Sequence, residues 1–202
     1  MDMINEKVEG VKEAEKVGKA FMWSHALSGG GGFMMMQATV ASYFAIFMTD
    51  TFGVPAGVLS MIVLIGSLWD AINDPMMESI ADFTKSRWGR YRPYFIVPPV
   101  LLTIAAYFLF LNPQGLSTNQ KIIYCAVFYI IFQMLVTVCT MPQMAVLPAH
   151  VKNGNERNKV IILGTIFVAL AFTIATSFYA QLTDFFGGLG NLMLVYGILT
   201  II

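Results

Sequence analysis

Charged residues are scarce in this sequence, and neither sign is in excess. Of 202 residues, 12 are Lys or Arg and 12 are Asp or Glu, so charged side chains make up 12% of the chain. A soluble domain typically carries about 25%. Because the net charge is zero, the chain lacks the basic surface that nucleic-acid binding needs, and we expect no nucleic-acid partner. The hydrophobic share of 57% predicts an integral membrane protein.

Cysteine is also scarce. Cys125 and Cys139 are the two cysteines, and they lie 14 positions apart in one apolar run. In a helix this separation is about 21 Å, which is far beyond the reach of a disulfide. Neither has a His or Cys neighbour at metal-ligand spacing. Both are therefore interpreted as small packing residues, and no metal centre or other cofactor is expected.

Six apolar runs follow one another along the chain, separated by breaks rich in turn-forming residues. The runs cover roughly residues 26–49, 57–79, 94–111, 121–147, 160–182 and 191–202. About 20 apolar residues span a bilayer. The sequence thus predicts an all-α, multi-pass membrane protein with five complete spans and the start of a sixth. We expect a charged cytoplasmic segment over residues 1–20 and a transmembrane bundle over 21–202 that is truncated in helix six.

The basic residues alternate along the breaks. The N-terminal segment, the second break and the fourth break together hold eleven of the twelve Lys and Arg residues, and Lys121 alone lies at another break. By the positive-inside rule, this bias predicts a cytoplasmic N-terminus. We expect a bacterial plasma membrane protein.

The second apolar run carries two carboxylates and an amide on one helical face. Asp70, Asn73 and Asp74 fall at positions i, i+3 and i+4, which lie on the same side of a helix. A charged acid near the bilayer centre costs about 2.5–3.5 kcal/mol on insertion scales. The stripe therefore predicts a site for a cation or a shared proton. The alternative is a pair of acids neutralised by buried Lys or Arg, but the interiors of the apolar runs contain neither.

The first run contains four consecutive glycines, Gly29 to Gly32. Such a run permits either the close approach of a neighbouring backbone or a local unwinding of the helix. Close packing is the simpler of the two interpretations.

Two stretches of this sequence resemble a known family. Residues 69–77 (WDAINDPMM) and 82–94 (DFTKSRWGRYRPY) closely resemble the glycoside–pentoside–hexuronide:cation symporters of the major facilitator superfamily. The resemblance extends over the whole chain after the N-terminal segment. It implies the N-terminal six-helix bundle of a two-bundle transporter, with the C-terminal bundle missing. It also implies symport of a small polar solute, a glycoside, pentoside or hexuronide, with a monovalent cation.

The resemblance further implies which residues bind the coupling cation. The matching positions are Asp70, Asn73, Asp74 and Thr137. Oxygen ligands suit Na⁺ or Li⁺, and a carboxylate pair also suits H⁺, so the identity of the ion stays open. The loop after helix two resembles a cytoplasmic gating loop of the superfamily. Its charged residues here are Asp82, Arg87, Arg90 and Arg92.

The charged groups of the family's galactoside site are not matched. The positions of its acid on helix one, acid on helix four and arginine on helix five hold Met34, Thr140 and Thr165. Either the solute is not a galactoside, or other polar groups bind it. The candidates for solute binding are Gln37, Thr140 and Gln143.

Three other interpretations compete with a symporter fragment. The chain could be a self-associating half-transporter, or an inactive fragment. It could also be an intramembrane aspartyl protease, but such enzymes place their acids on two facing helices, whereas Asp70 and Asp74 share one. We therefore expect no enzymatic activity.

Overall fold

The computed structural model describes residues 17–84, 87 and 92–201, with Asp82, Arg92 and Ile201 described by their backbone alone. Within these ranges the chain forms eight α-helices and one π-helical turn, and no strand. The elements are α1 (Lys19–Gly30), α2 (Gly32–Ile46), the π-helical turn (Phe47–Thr51), α3 (Ala56–Phe83), α4 (Arg92–Leu109), α5 (Thr118–His150), α6 (Gly154–Ser177), α7 (Tyr179–Phe186) and α8 (Leu189–Ile201). The predicted all-α fold is confirmed.

Among the described residues, four helical stretches are long and apolar enough to cross a membrane: Lys19–Thr51, Ala56–Ala81, Thr118–His150 and Gly154–Ser177. α4 is apolar but shorter, and α7 with α8 would make a fifth span if the pair is counted as one. The protein is therefore a multi-pass integral membrane protein.

The structure differs from the predicted runs in two places. The first span begins at Lys19, not near residue 26. The predicted run 160–182 is interrupted at Phe178, where α6 ends and α7 begins. α7 and α8 then meet at an angle of 98°. Gly187 and Gly188 form this corner with φ values of 72° and 131°, which side chains with a Cβ rarely adopt.

Each helix packs against particular neighbours. α1 and α2 contact α6, α2 also contacts α8, α4 contacts both α5 and α8, and α3 contacts α5. Phe44 of α2 stacks on Tyr129 of α5 with ring centroids 4.6 Å apart, within the range favoured by aromatic pairs. Tyr43 donates a hydrogen bond of 2.7 Å to the carbonyl of Thr176. α5 therefore contacts α3 and α4, and through the Tyr129 ring it also contacts α2.

The four glycines of the first span serve both purposes that the sequence allowed. The helix is broken at Gly31, which separates α1 from α2. On either side of the break the backbone lies against a neighbour. A Cβ on Gly30 would lie 2.4 Å from Cβ of Phe167, and one on Gly32 would lie 2.0 Å from the carbonyl oxygen of Tyr196. Small residues here let the first span contact both α6 and α8.

α3 has an apolar face and a polar face. Met61, Leu64, Leu68 and Ile72 are each more than half exposed, as expected for side chains that contact lipid. Asn73 is fully buried and belongs to the opposite face, which packs on α5. The acidic stripe therefore faces the interior of the bundle.

Adding one methyl group at Gly32 is expected to destabilise the bundle, because the facing atom is a backbone oxygen that cannot rotate away. We expect Gly32→Ala to cost roughly 1–3 kcal/mol and to lower the temperature at which the detergent-solubilised protein loses its monodisperse peak. Gly57→Ala is the matched control, since a Cβ there meets no atom within 4 Å. Equal melting temperatures for both variants would contradict the close contact between α2 and α8.

Candidate cation and solute site

Two hydrogen bonds join the acids of α3 to neutral side chains of α5. Gln133 donates from Nε2 to Oδ2 of Asp70 at 2.9 Å, and Thr137 donates from Oγ1 to Oδ1 of Asp74, also at 2.9 Å. The acids are four residues apart on α3, and their donors are four residues apart on α5. The two helices therefore run in the same direction here, with one helical turn between successive contacts.

Asn73 lies between the two acids on the same helical stripe, and its amide is unusual. It is 0% exposed, yet among the described residues neither its Oδ1 nor its Nδ2 has a hydrogen-bond partner, and the buried Oδ1 of Asp70 has none either. Leaving a buried polar group unsatisfied costs about 1–3 kcal/mol. Unpartnered oxygens beside two carboxylates are the arrangement expected where a cation binds.

The acids are not neutralised by basic side chains within the described ranges. No Lys or Arg nitrogen there lies within 4.0 Å of Asp70 or Asp74, and the ion pair found joins Lys159 to Glu156 at the start of α6. The neutral partners Gln133 and Thr137 leave the negative charge of both carboxylates in place. The fold thus brings Thr137 into contact with Asp74, on the helix that also carries Asp70 and Asn73, and the role of these four residues in binding a cation stays a prediction.

Two cavities lie along one face of α5. The smaller, of about 370 Å³, is bordered by the polar side chains of Gln37, Tyr129 and Gln133 and by apolar residues of α2, α3 and α5. The larger, of about 590 Å³, lies between α1, α5 and α6. Its polar and basic lining residues are His25, Thr140, Gln143, Arg157 and Thr165. Both volumes lie in or near the range of small-molecule sites.

The residues predicted to bind the solute are divided between these cavities. Gln37 lines the smaller cavity, whereas Thr140 and Gln143 line the larger one. Gln143 donates from Nε2 to Oγ of Ser28 at 3.2 Å. A Cβ on Gly29 would lie only 2.8 Å from that Nε2, so glycine leaves room for the amide.

The predicted gating loop lies mostly outside the described residues. Arg90 is not described, and the side chains of Asp82 and Arg92 are not described either. Arg87 is exposed in a turn. The role of this loop stays a prediction, as does the cytoplasmic segment predicted over residues 1–20.

Sequence reasoning missed Gln133 and Tyr129. The signal for Gln133 was present, because it lies four residues before Thr137 and therefore on the same face of α5. What the spacing did not show was that this face meets Asp70 as well as Asp74. Tyr129 carried no polar signal, since an aromatic residue in an apolar run normally packs in the core.

The chain is similar in sequence to known transporters. The sequence of the chain matches the MFS/sugar transport protein family over residues 26–202. The uncharacterized symporter YnaJ of Bacillus subtilis (strain 168) is 31% identical over 183 residues, which is 91% of this chain and 38% of YnaJ. The isoprimeverose transporter of Lactiplantibacillus pentosus is 28% identical over 149 residues, which is 74% of this chain and 31% of that transporter.

The name of a further relative refers to a cation. YagG of Escherichia coli (strain K12), a proposed glycoside/cation symporter, is 30% identical over 141 residues, 70% of this chain and 30% of YagG. The chain thus spans less than two-fifths of the length of these curated relatives.

Replacing Asn73 by leucine is expected to stabilise the protein when Na⁺ and Li⁺ are absent. The change removes two buried polar atoms that have no described hydrogen-bond partner, and leaving such a group unsatisfied costs about 1–3 kcal/mol of stability. The melting temperature in choline chloride measures this. The matched control is Thr103→Val. Thr103 is also buried but donates to the carbonyl of Pro99 at 2.8 Å, so its loss should destabilise. A lower melting temperature for Asn73→Leu would contradict the unpartnered amide.

Proposed function

Because this chain belongs to the MFS/sugar transport protein family, we propose that it takes part in the symport of a monovalent cation with a sugar or related small polar solute. Its named relatives are symporters and sugar transporters, and transporters of this kind bind solute and coupling ion near the midplane of the membrane. The observation that carries the proposal is the fully buried Asn73, unpartnered among the described residues, between two carboxylates.

The proposed cation ligands are oxygens of Asp70, Asn73, Asp74 and Thr137. Two carboxylates leave a net charge that one monovalent cation offsets only in part, and the neutral oxygens of Asn73 and Thr137 complete a ligand set suited to Na⁺ or Li⁺. A proton shared by two close acids is the other arrangement that lowers their repulsion. The coupling ion is therefore Na⁺, Li⁺ or H⁺.

The proposed path of the solute follows α5. The smaller cavity adjoins the acids through Gln133, and the larger cavity continues along the same helix to Leu147 and Pro148. Fourteen residues from Gln133 to Leu147 span about 21 Å, a large part of the thickness of a bilayer. Movement of the solute between these cavities would follow alternating exposure of the two membrane faces.

The proposed orientation places the N-terminus in the cytoplasm of a bacterial cell, with the end of α5 and the start of α6 on the same side. Arg157 and Lys159 belong to this end, in keeping with the positive-inside rule. That these residues work beside a C-terminal bundle stays a prediction, as does the alternative of a self-associating half-transporter. A protease is disfavoured because both acids belong to α3 and receive hydrogen bonds from neutral side chains of α5.

Replacing Asp74 by asparagine is expected to abolish Na⁺- or H⁺-driven solute uptake in vesicles, because the variant loses one of the two charges that hold the cation. Glu78→Gln is the matched control. Glu78 lies one turn further along α3 and is exposed, so its neutralisation should leave driven uptake largely intact. Undiminished ion-driven accumulation by Asp74→Asn would overturn the cation site.

A further inference from the structure

Gln133 belongs to the acid cluster and to the smaller cavity at once. Its Nε2 donates to Oδ2 of Asp70, and its side chain also lines the cavity that contains Gln37 and Tyr129. No other residue of this cavity forms a hydrogen bond with Asp70 or Asp74 among the described residues. Any solute in the cavity would therefore be one side chain away from the acids.

The orientation of the Gln133 amide is fixed by chemistry. While Asp70 is ionised its carboxylate only accepts hydrogen bonds, so the NH₂ group of Gln133 and not its carbonyl oxygen faces Asp70. The carbonyl oxygen, Oε1, accepts no hydrogen bond from the described residues. It is consequently available as an acceptor for a hydroxyl group in the cavity.

We propose that Gln133 is a positioning residue that couples the cation site to a solute site in the Gln37–Gln133 cavity, and that this solute site takes an uncharged glycoside or pentoside. This inference rests on the proposed function and deepens it. A cation that fixes the carboxylate of Asp70 also fixes the Gln133 amide, and so presents Oε1 to a solute hydroxyl. Binding of the cation prepares the cavity for the solute.

The lining of the cavity selects against a charged solute. Among the described residues, its polar lining groups are two amides and a phenol, with no Lys or Arg. A hexuronide would bring a carboxylate into this cavity next to Asp70, with no described basic partner, and burying an unpaired charge is costly. An uncharged ring with several hydroxyl groups suits the two amides, and its apolar faces suit Phe44 and Phe132 in the cavity wall.

This coupling has a signature that a purely structural role for Gln133 would not produce. Because coupling between two binding sites is reciprocal, Na⁺ must raise the affinity for the solute by the same factor as the solute raises the affinity for Na⁺. Removing the bridge should abolish this factor. It also removes one hydrogen-bond acceptor from the solute site, while the cation site keeps its four proposed ligands. Removing another cavity residue should lower the affinity for the solute and leave the coupling factor unchanged.

The experiment is calorimetric titration of the full-length protein in detergent with isoprimeverose, lactose and methyl β-D-xyloside, each with Na⁺ or with choline. Methyl glucuronide is the charged probe. For wild type we expect at least one neutral glycoside to bind at least about fivefold more tightly with Na⁺, the lower end of typical coupling. Methyl glucuronide should bind neither with nor without Na⁺.

Gln133→Met keeps the length of the side chain and removes both hydrogen-bonding groups. We expect it still to bind Na⁺, which also reports a folded protein, while the Na⁺ enhancement of glycoside affinity falls below about twofold. Gln37→Leu is the matched control in the same cavity. It should lower the affinity for the glycoside and keep the wild-type enhancement of that affinity by Na⁺.

Four outcomes would overturn the inference. They are a wild-type enhancement in Gln133→Met, loss of the enhancement in Gln37→Leu as well, binding of methyl glucuronide in preference to the neutral probes, and failure of every neutral probe to bind wild type. In each case Na⁺ binding to wild type would leave the proposed cation site standing. Absence of binding of Na⁺, Li⁺ and H⁺ to wild type would instead refute the proposed function, and the inference with it.

Discussion

Two carboxylates within an apolar helix are the constraint on which the rest of this structure depends. Asp70 and Asp74 cannot be left alone at membrane depth, and the described residues offer them amides and hydroxyls rather than Lys or Arg. α3 must therefore lie close to α5, where Gln133 donates a hydrogen bond to Asp70 and Thr137 donates one to Asp74. Gly66, one turn before Asp70, permits this approach, because a Cβ there would lie 2.6 Å from the Tyr129 ring.

Hydrogen bonding without neutralisation is what would suit the acids to the proposed cation site. A salt bridge to a buried arginine would satisfy the acids permanently, whereas hydrogen bonds from neutral donors leave their charge available to a passing ion. The unpartnered amide of Asn73 has a cost in stability that a bound ligand would offset. Gln133 then extends the same network into the smaller cavity. In this account α5 lines both the proposed cation site and the proposed solute cavity.

The lengths of the apolar runs predicted the all-α membrane fold, and helical periodicity placed Asp70, Asn73 and Asp74 on one face. Thr137 was reached through family resemblance, since no spacing rule connects residues 63 positions apart. The role of Gln133 and the 98° corner between α7 and α8 were not predicted, and the break at Gly31 was left as one of two alternatives. Each depends on which helix lies opposite, or on glycine conformations that composition does not reveal. The division of Gln37 from Thr140 and Gln143 into two cavities likewise follows from packing.

The central claim is that the carboxylates of Asp70 and Asp74 bind the coupling cation directly. The infrared difference spectrum of the protein in Na⁺ and in choline measures this without reference to any solute. The account predicts paired shifts of carboxylate stretching bands on Na⁺ addition, accompanied by an amide side-chain band that disappears in Asn73→Leu. The carboxylate shifts should be lost in the Asp70→Asn, Asp74→Asn double variant. The same carboxylate shifts in that double variant would contradict the account.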